Sequence, residues 1–177
     1  MIFFTADLHL GHANIIEYSG RPFADVDEMN RALIDNWNAV VSDRDTVYVL
    51  GDLALGKINE TLPLARELRG RKLLVPGNHD RCWTGHKKVQ IQMYEDQGIE
   101  VMPSCVRLGR YLLCHFPYTV DERHGDRYGA HRPLNLGRHL LHGHVHEAWK
   151  VSGRQTNVGV DVWDYRPVSM EEIECLG

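Results

Sequence analysis

No stretch of the chain approaches the roughly 20 apolar residues that a membrane-spanning helix needs, so no membrane partner is expected. Cysteine is sparse. Cys82, Cys105, Cys114 and Cys175 form no CxxC pair and no dense framework, which makes reduced thiols in a cytosolic protein the simpler reading. Basic charge is not in excess: 20 Lys+Arg against 24 Asp+Glu give a formal net charge of −4. The longest basic cluster is Arg69-Gly70-Arg71-Lys72, too little for bulk-charge binding of duplex nucleic acid. The amino terminus has a short apolar run without a basic leader, so a secretory signal is not expected and the cytoplasm is the default location. Internal repeats, low-complexity tracts and Gly/Ser/Pro-rich linkers are also missing. A chain of 177 residues without such divisions is expected to form a single domain over 1–177.

What the sequence does have is histidine, 11 in all. Seven of them (His115, His124, His131, His139, His142, His144, His146) crowd into the segment from 115 to 146. A local pattern also recurs, in which a short apolar run of strand length ends abruptly in Asp, Asn or His. The runs are Ile2–Ala6 before Asp7-Leu8-His9, Thr46–Leu50 before Gly51-Asp52, and Lys72–Val75 before Pro76-Gly77-Asn78-His79-Asp80. Tyr111–Cys114 before His115 and Leu140-Leu141 before His142-Gly143-His144-Val145-His146 complete the set. Continuous apolar runs suit strands buried on both faces of a helix-covered sheet.

Between the first runs lie helical signals. Asp27–Val41 places Met29, Leu33, Trp37 and Val40/Val41 on one stripe. Thr61–Leu68 opens near Pro63 and stops before Gly70. His86–Gln97 carries Val89, Met93 and Gln97 on one face and stops at Gly98. The alternation β-α-β-α-β-α-β is that of an α/β domain, in which sites form beyond the carboxyl ends of strands. All five polar clusters fall at such ends.

Two aspartates, one asparagine and several histidines would therefore meet, offering oxygen and imidazole donors with no thiolate. This set suits Mn, Fe, Co, Ni or Zn better than a soft ion. Three or four protein ligands serve one catalytic ion, and the candidates here are enough for two. Two ions roughly 3.5–4 Å apart can share a carboxylate and a hydroxide and clamp both oxygens of an in-line displacement at phosphorus.

The ordered set resembles the calcineurin-like metallophosphoesterases, whose motifs run D-x-H, G-D, G-N-H-[DE], a lone H, and G-H-x-H. All five are present in order: Asp7-Leu8-His9, Gly51-Asp52, Gly77-Asn78-His79-Asp80, His115 and Gly143-His144-Val145-His146. The flanks His12-Ala13-Asn14 and Asn157–Trp163 resemble a small single-domain bacterial or phage-type subgroup. The resemblance implies an α/β four-layer sandwich, two mixed β-sheets flanked by α-helices, with a dimetal site at the strand ends. It implies one divalent ion held by Asp7, His9, Asp52 and His146, and another by Asp52, Asn78, His115 and His144, with Asp52 bridging. Manganese is the first expectation for the pair, with Fe, Zn, Ni or Co as alternatives. A hydroxide between the ions would attack phosphorus, His79 would stabilise the transition state or protonate the leaving oxygen, and Asp80 would orient the His79 ring. Asn78 would also contact substrate.

The implied substrate is a small phosphodiester, nucleotide-type or cyclic, because no long insertion caps the site. A phosphomonoesterase with the same dimetal centre is the alternative. A non-catalytic metal-binding scaffold is a third, but eroded ligands or a missing His79 would mark it, and neither is seen. Gly51–Ile58 nearly matches a phosphate-binding P-loop, yet Ile58 has no hydroxyl for magnesium. His142 reads as a residue behind the ligands. His12 either contacts substrate phosphate or caps the following helix. Arg21 reads as a surface or loop-anchoring residue, and His86 and His139 as surface residues. The stretch from Tyr118 to Arg138, with Arg123, His124, Arg127, His131 and Arg132, reads as a solvated loop or as a lip that recognises an anion.

Overall fold

The computed structural model describes residues 1–83, 88–119 and 127–176; His86, Arg123 and His124 lie outside them. The chain runs β1 (Ile2–Thr5), α1 (Asn14–Tyr18), α2 (Val26–Val40), β2 (Thr46–Val49), α3 (Ile58–Thr61), β3 (Arg71–Leu74), α4 (Lys88–Glu95) and β4 (Ile99–Val101). It continues through β5 (Cys105–Leu108), β6 (Tyr111–Cys114), β7 (His139–His142), β8 (Val151–Ser152), β9 (Gln155–Asn157), β10 (Val168–Ser169) and α5 (Met170–Glu174). Short 3₁₀ turns at Leu62–Glu67, Gly129–His131 and Val160–Val162 fill the gaps.

Two mixed five-stranded sheets result, ordered β10-β1-β2-β3-β4 and β5-β6-β7-β9-β8, flanked by helices. β1 to β4 are mutually parallel, and β6, β7 and β9 are likewise parallel. The neighbouring residues Phe3 and Phe4 show why the apolar runs are unbroken. Phe3 points to the helix side, joining Met29, Leu33 and Trp37 of α2. Phe4 points to the other face, joining Leu50, Val75, Leu113, Leu141 and Trp163 between the sheets. Burying a side chain of this size contributes about 1.5–3 kcal/mol, so each strand is held from both faces. On the far side of the second sheet, Cys114, Phe116 and Leu140 pack under Trp83, Tyr118 and Tyr128.

Two sequence expectations need correction. The helix expected over Thr61–Leu68 is a 3₁₀ run from Leu62 to Glu67 with Pro63 in its first turn; it continues directly from α3 and serves as a connector to β3, a place where 3₁₀ geometry is frequent. In α4 the apolar face is rotated, for Val89 is 75% exposed while Tyr94 is fully buried. The Tyr94 hydroxyl accepts a hydrogen bond from the Arg81 amide at 2.9 Å, and its ring joins the helix-side core. A large ring with a satisfied polar tip fixes the helix more firmly than Val89 could.

At the carboxyl end, Ser169 caps α5 in a reciprocal capping box with Glu172, and Arg166 Nη2 donates to Glu172 at 2.8 Å. The Arg166 guanidinium, followed by the Ser169 contacts, holds the Glu172 carboxyl down at about 2. Because the folded-state value is depressed, this contribution is complete above the unfolded value near 4.5 and fades as pH falls toward 2. Glu172→Gln should therefore lower stability by about 1 kcal/mol at pH 7. In thermal unfolding the difference from the parent should shrink below pH 4; a gap that widens in acid would contradict the assignment.

Candidate metal centre at the strand ends

The loops after β1, β2, β3, β6 and β7 meet at one edge. Beyond β1 the backbone keeps pairing with the loop after β2: Asp7 N donates to Gly51 O at 3.1 Å and His9 N to Asp52 O at 3.0 Å. Asp7, His9, Asp52, His144 and His146 all have positive φ, between 48° and 74°. Asp and His are among the residues that tolerate this region best, yet each such position costs on the order of 1–3 kcal/mol. Strain at five candidate ligands at once is the backbone mark of a functional site.

The motif glycines have a packing reason. A Cβ on Gly143 would lie 2.5 Å from both Ala6 Cβ and Asp7 Oδ2. One on Gly77 would collide with the Asp52 carboxylate. Each loop therefore needs a glycine where it crosses a carboxylate of its neighbour.

The side chains form two overlapping groups. Ligand atoms of Asp7, His9 and His146 lie within 4.8 Å of one another, as do those of Asp7, Asp52 and His115. Asp52 Oδ2 sits 3.7 Å from His9 Nε2 and 3.5 Å from His115 Nε2, the place of a shared ligand between the two. Asp52 Oδ1 accepts from the His79 amide at 2.9 Å. Asn78 Oδ1 is 3.0 Å from His115 Nε2. The His144 amide donates to Asp7 Oδ2 at 2.9 Å, and its ring is 5.1 Å from that of His115. The His79 ring, exposed, lies 5.4 Å from that of His9.

Burial sets the electrostatics. It raises the Asp7 carboxyl to about 6 against the opposing effect of His146. Burial also raises Asp52 to about 7, and burial together with the Asp52 charge raises Asp80 to about 7. Desolvation, then His146 and Arg21, pushes His9 well below its ordinary value. Buried Asp7 Oδ1 and both ring nitrogens of His9 have no hydrogen-bond partner among the described residues. Carboxylates that burial would otherwise protonate, beside a neutral imidazole with orphaned nitrogens, fit divalent cations.

The structure adds a residue that the sequence pattern did not single out. Asp161 receives His146 Nδ1 at 3.1 Å and Arg21 Nε at 2.8 Å, and Arg21 also donates to the carbonyls of Asp7 and Leu8. Arg21 is thus a buried loop anchor, 4% exposed, and not a surface residue. Burial alone would raise Asp161, but His146 and Arg21 outweigh it and hold the carboxyl below its usual value. For His146, burial works downward and is overcome by the Asp161 bond and the Asp7 charge.

Asp80 clamps loops: its carboxylate accepts from the amides of Asp52, Gly77 and Leu53. His142 is fully buried behind the ligands, with Nδ1 2.7 Å from Gly143 O and its ring on Trp149. The α1 cap is Ala13 without a side-chain bond, so His12 does not cap that helix; its ring sits on His9 and Tyr18 and lines the cavity.

That cavity, about 430 Å³, is lined by His9, His12, Tyr18, Asn78, His79, Arg127, Tyr128, His144 and His146 among others. From the stretch 118–138, Arg127 and Tyr128 form its lip. Arg132 instead bonds the carbonyls of Pro117 and Thr119, His131 packs on Trp83, and the Tyr118 hydroxyl donates to Arg138 O. A groove of about 530 Å³ along α4 contains none of the Asp/His cluster. Replacing Asp161 by Asn should weaken divalent-ion binding roughly 10- to 100-fold, as loss of a ligand-orienting bond does. Calorimetric titration of the chelated variant checks this, and parental affinity would show that Asp161 orients nothing.

Comparison with known proteins agrees with this geometry. A family model described as calcineurin-like phosphoesterase matches residues 1–165. An uncharacterized protein of Methanocaldococcus jannaschii is 33% identical, over 99% of this chain and 90% of its own length. The gene 66 protein of Mycobacterium phage L5 is also 33% identical, over 98% of this chain and 92% of its own. Among solved structures, a protein of unknown function from Aquifex aeolicus matches with a TM-score of 0.74 and 28% identity, over 100% of this chain and 99% of that one. No helix among the described residues is long and apolar enough to cross a membrane. With strand-end loops that bring its ordered Asp, Asn and His motifs to one cavity, the chain belongs to the calcineurin-like phosphoesterase family.

Proposed function

We propose that the protein hydrolyses a small phosphodiester of nucleotide type with two divalent ions, manganese first among them, in the strand-end cavity. The observation that carries this reading is the double Asp/His group, with Asp7 near both halves and Asp52 Oδ2 between the His9 and His115 rings, opening into a cavity walled by Tyr18 and Tyr128. Asp7, His9, Asp52 and His146 would hold one ion, and Asp52, Asn78, His115 and His144 the other. When bound, such ions supply Lewis acidity and lower the pKa of water at the site.

The remaining work falls to the chain itself. Asp161 fixes the His146 ring so that Nε2 is turned away from the bonded Nδ1. Asp80 locks the loops that carry Asp52 and Asn78. His79, exposed at the cavity and beside His9, is placed to meet the substrate and give a proton to the leaving oxygen. Arg127 is the one guanidinium or ammonium among the described lining residues, a match for the single negative charge of a diester. The tyrosine rings offer apolar faces to the group beyond the phosphorus.

His79→Ala should retain both ions and lose at least ~100-fold in turnover, the low end for general acid catalysis. Metal analysis alongside kinetics on a chromogenic phosphodiester with added Mn²⁺ tests this, and full metal content at a near-parental rate would remove His79 from the reaction. Arg127→Ala should raise KM about 10-fold for that diester, the loss of one charge-assisted contact, with kcat little changed. A monoester cleaved in preference to the diester would move the assignment to a phosphomonoesterase. Hydrolysis of neither by the metal-loaded protein would leave a scaffold.

A further inference from the structure

The strands that deliver the metal-site loops at one end carry a second polar cavity at the other. β6 and β7 are parallel, with Tyr111 opposite His139 at their start, and lead toward His115 and His144. At the starting end lies a cavity of about 430 Å³ lined by Arg110, Tyr111, Arg138, His139, Arg154 and Glu174, together with Gly137 and Ile173. Among the described lining residues, three guanidiniums from three different turns thus face one space with a single carboxylate, in a chain whose formal net charge is −4. Like charges gathered in one concavity repel each other and raise the local concentration of anions.

The arginines are held in place. Arg138 Nη1 donates to Gly109 O at 3.3 Å and Arg154 Nη1 to Gly137 O at 3.2 Å, so each turn is laced to the next through one guanidinium nitrogen. Arg110 Nη2 donates to the Tyr111 hydroxyl at 2.8 Å and reaches Glu174 at 3.4 Å. A guanidinium has five donors in a fork that matches phosphate oxygens, and each of these uses one nitrogen. His139 Nε2 is tied to Thr156 Oγ1 at 2.8 Å. Burial, then the charges of Arg110 and Arg154, lower the His139 pKa, so the field of two of the arginines converges on the cavity floor.

We propose that Arg110, Arg138 and Arg154 form a second anion site, separate from the metal centre, that takes the phosphate group of a small phosphorylated molecule. The cavity volume is within the range of small-molecule sites and exceeds what a bare phosphate fills. The walls of Tyr111 and Ile173 offer apolar surface to the group attached to that phosphate. The proposal does not depend on hydrolysis at the other end.

Amide NMR of the isotopically labelled, magnesium-loaded protein, titrated with inorganic phosphate, reads the two ends separately. Gly109, Gly137 and Gly153 report this cavity; Gly51 and Gly77 report the metal centre. Saturable shifts at the first three are expected, with an affinity at least ~10-fold weaker in Arg138→Ala/Arg154→Ala. Glu174→Gln, an exposed change, should tighten binding about 2-fold or more by removing the one opposing charge. No saturable shift at Gly109, Gly137 and Gly153, or an affinity unchanged by these substitutions, would overturn the site.

Discussion

Three carboxylates, Asp7, Asp52 and Asp80, are each almost wholly removed from water at one edge of two sheets. Burial on that scale disfavours the charged form, so the carboxyls are pushed toward neutrality by the fold that holds them. The surroundings answer each one differently. Asp80 is taken up by three backbone amides. Asp161, nearby, is taken up by Arg21 and His146. Asp7 and Asp52 receive one amide each on one oxygen, and their other oxygens face imidazoles. That arrangement fits divalent cations, and the left-handed backbone at five positions is the conformational cost of aiming these side chains inward.

The fold exists in a form that makes this possible. Parallel strands deliver successive loops to the same edge, and the two sheets share a core through Phe4, Leu50, Val75 and Leu141. Candidate ligands from the first sheet thereby meet candidate ligands from the second. The isolated bridge between Ala6 and Gly159 and the His144–Asp7 bond stitch the sheets together at the site itself. Glycine at 77 and 143 allows the loops to touch.

Much of this was legible in the sequence because the signals are local. Apolar runs cut off by Asp, Asn or His mark β1, β2, β3, β6 and β7, and the stripe of Met29, Leu33 and Trp37 marks α2. The family pattern named the residues that converge. What escaped the sequence is nonlocal. Arg21 reads as a surface or loop-anchoring residue, and only its fit beneath Asp7 and against Asp161 decides for the buried anchor. Asp161 lies in a run with no metal-ligand spacing to His146. On α4 helical spacing puts Val89 on the buried face with Met93, but only Met93 packs against the core, and the decisive contact is the reach of Tyr94 to Arg81. Arg110, Arg138 and Arg154 are scattered in sequence and meet only through strand pairing.

On the proposed reading, Asp52 is shared by two cations and Asp7 holds one of them. Counting bound divalent ions per chain by elemental analysis, after manganese loading and removal of excess, tests it most directly. Two ions per chain are expected, and no more than one in Asp52→Asn, which loses the carboxylate that stands between the His9 and His115 rings. A parent chain that retains one ion or none, or an Asp52→Asn chain that still retains two, would contradict it.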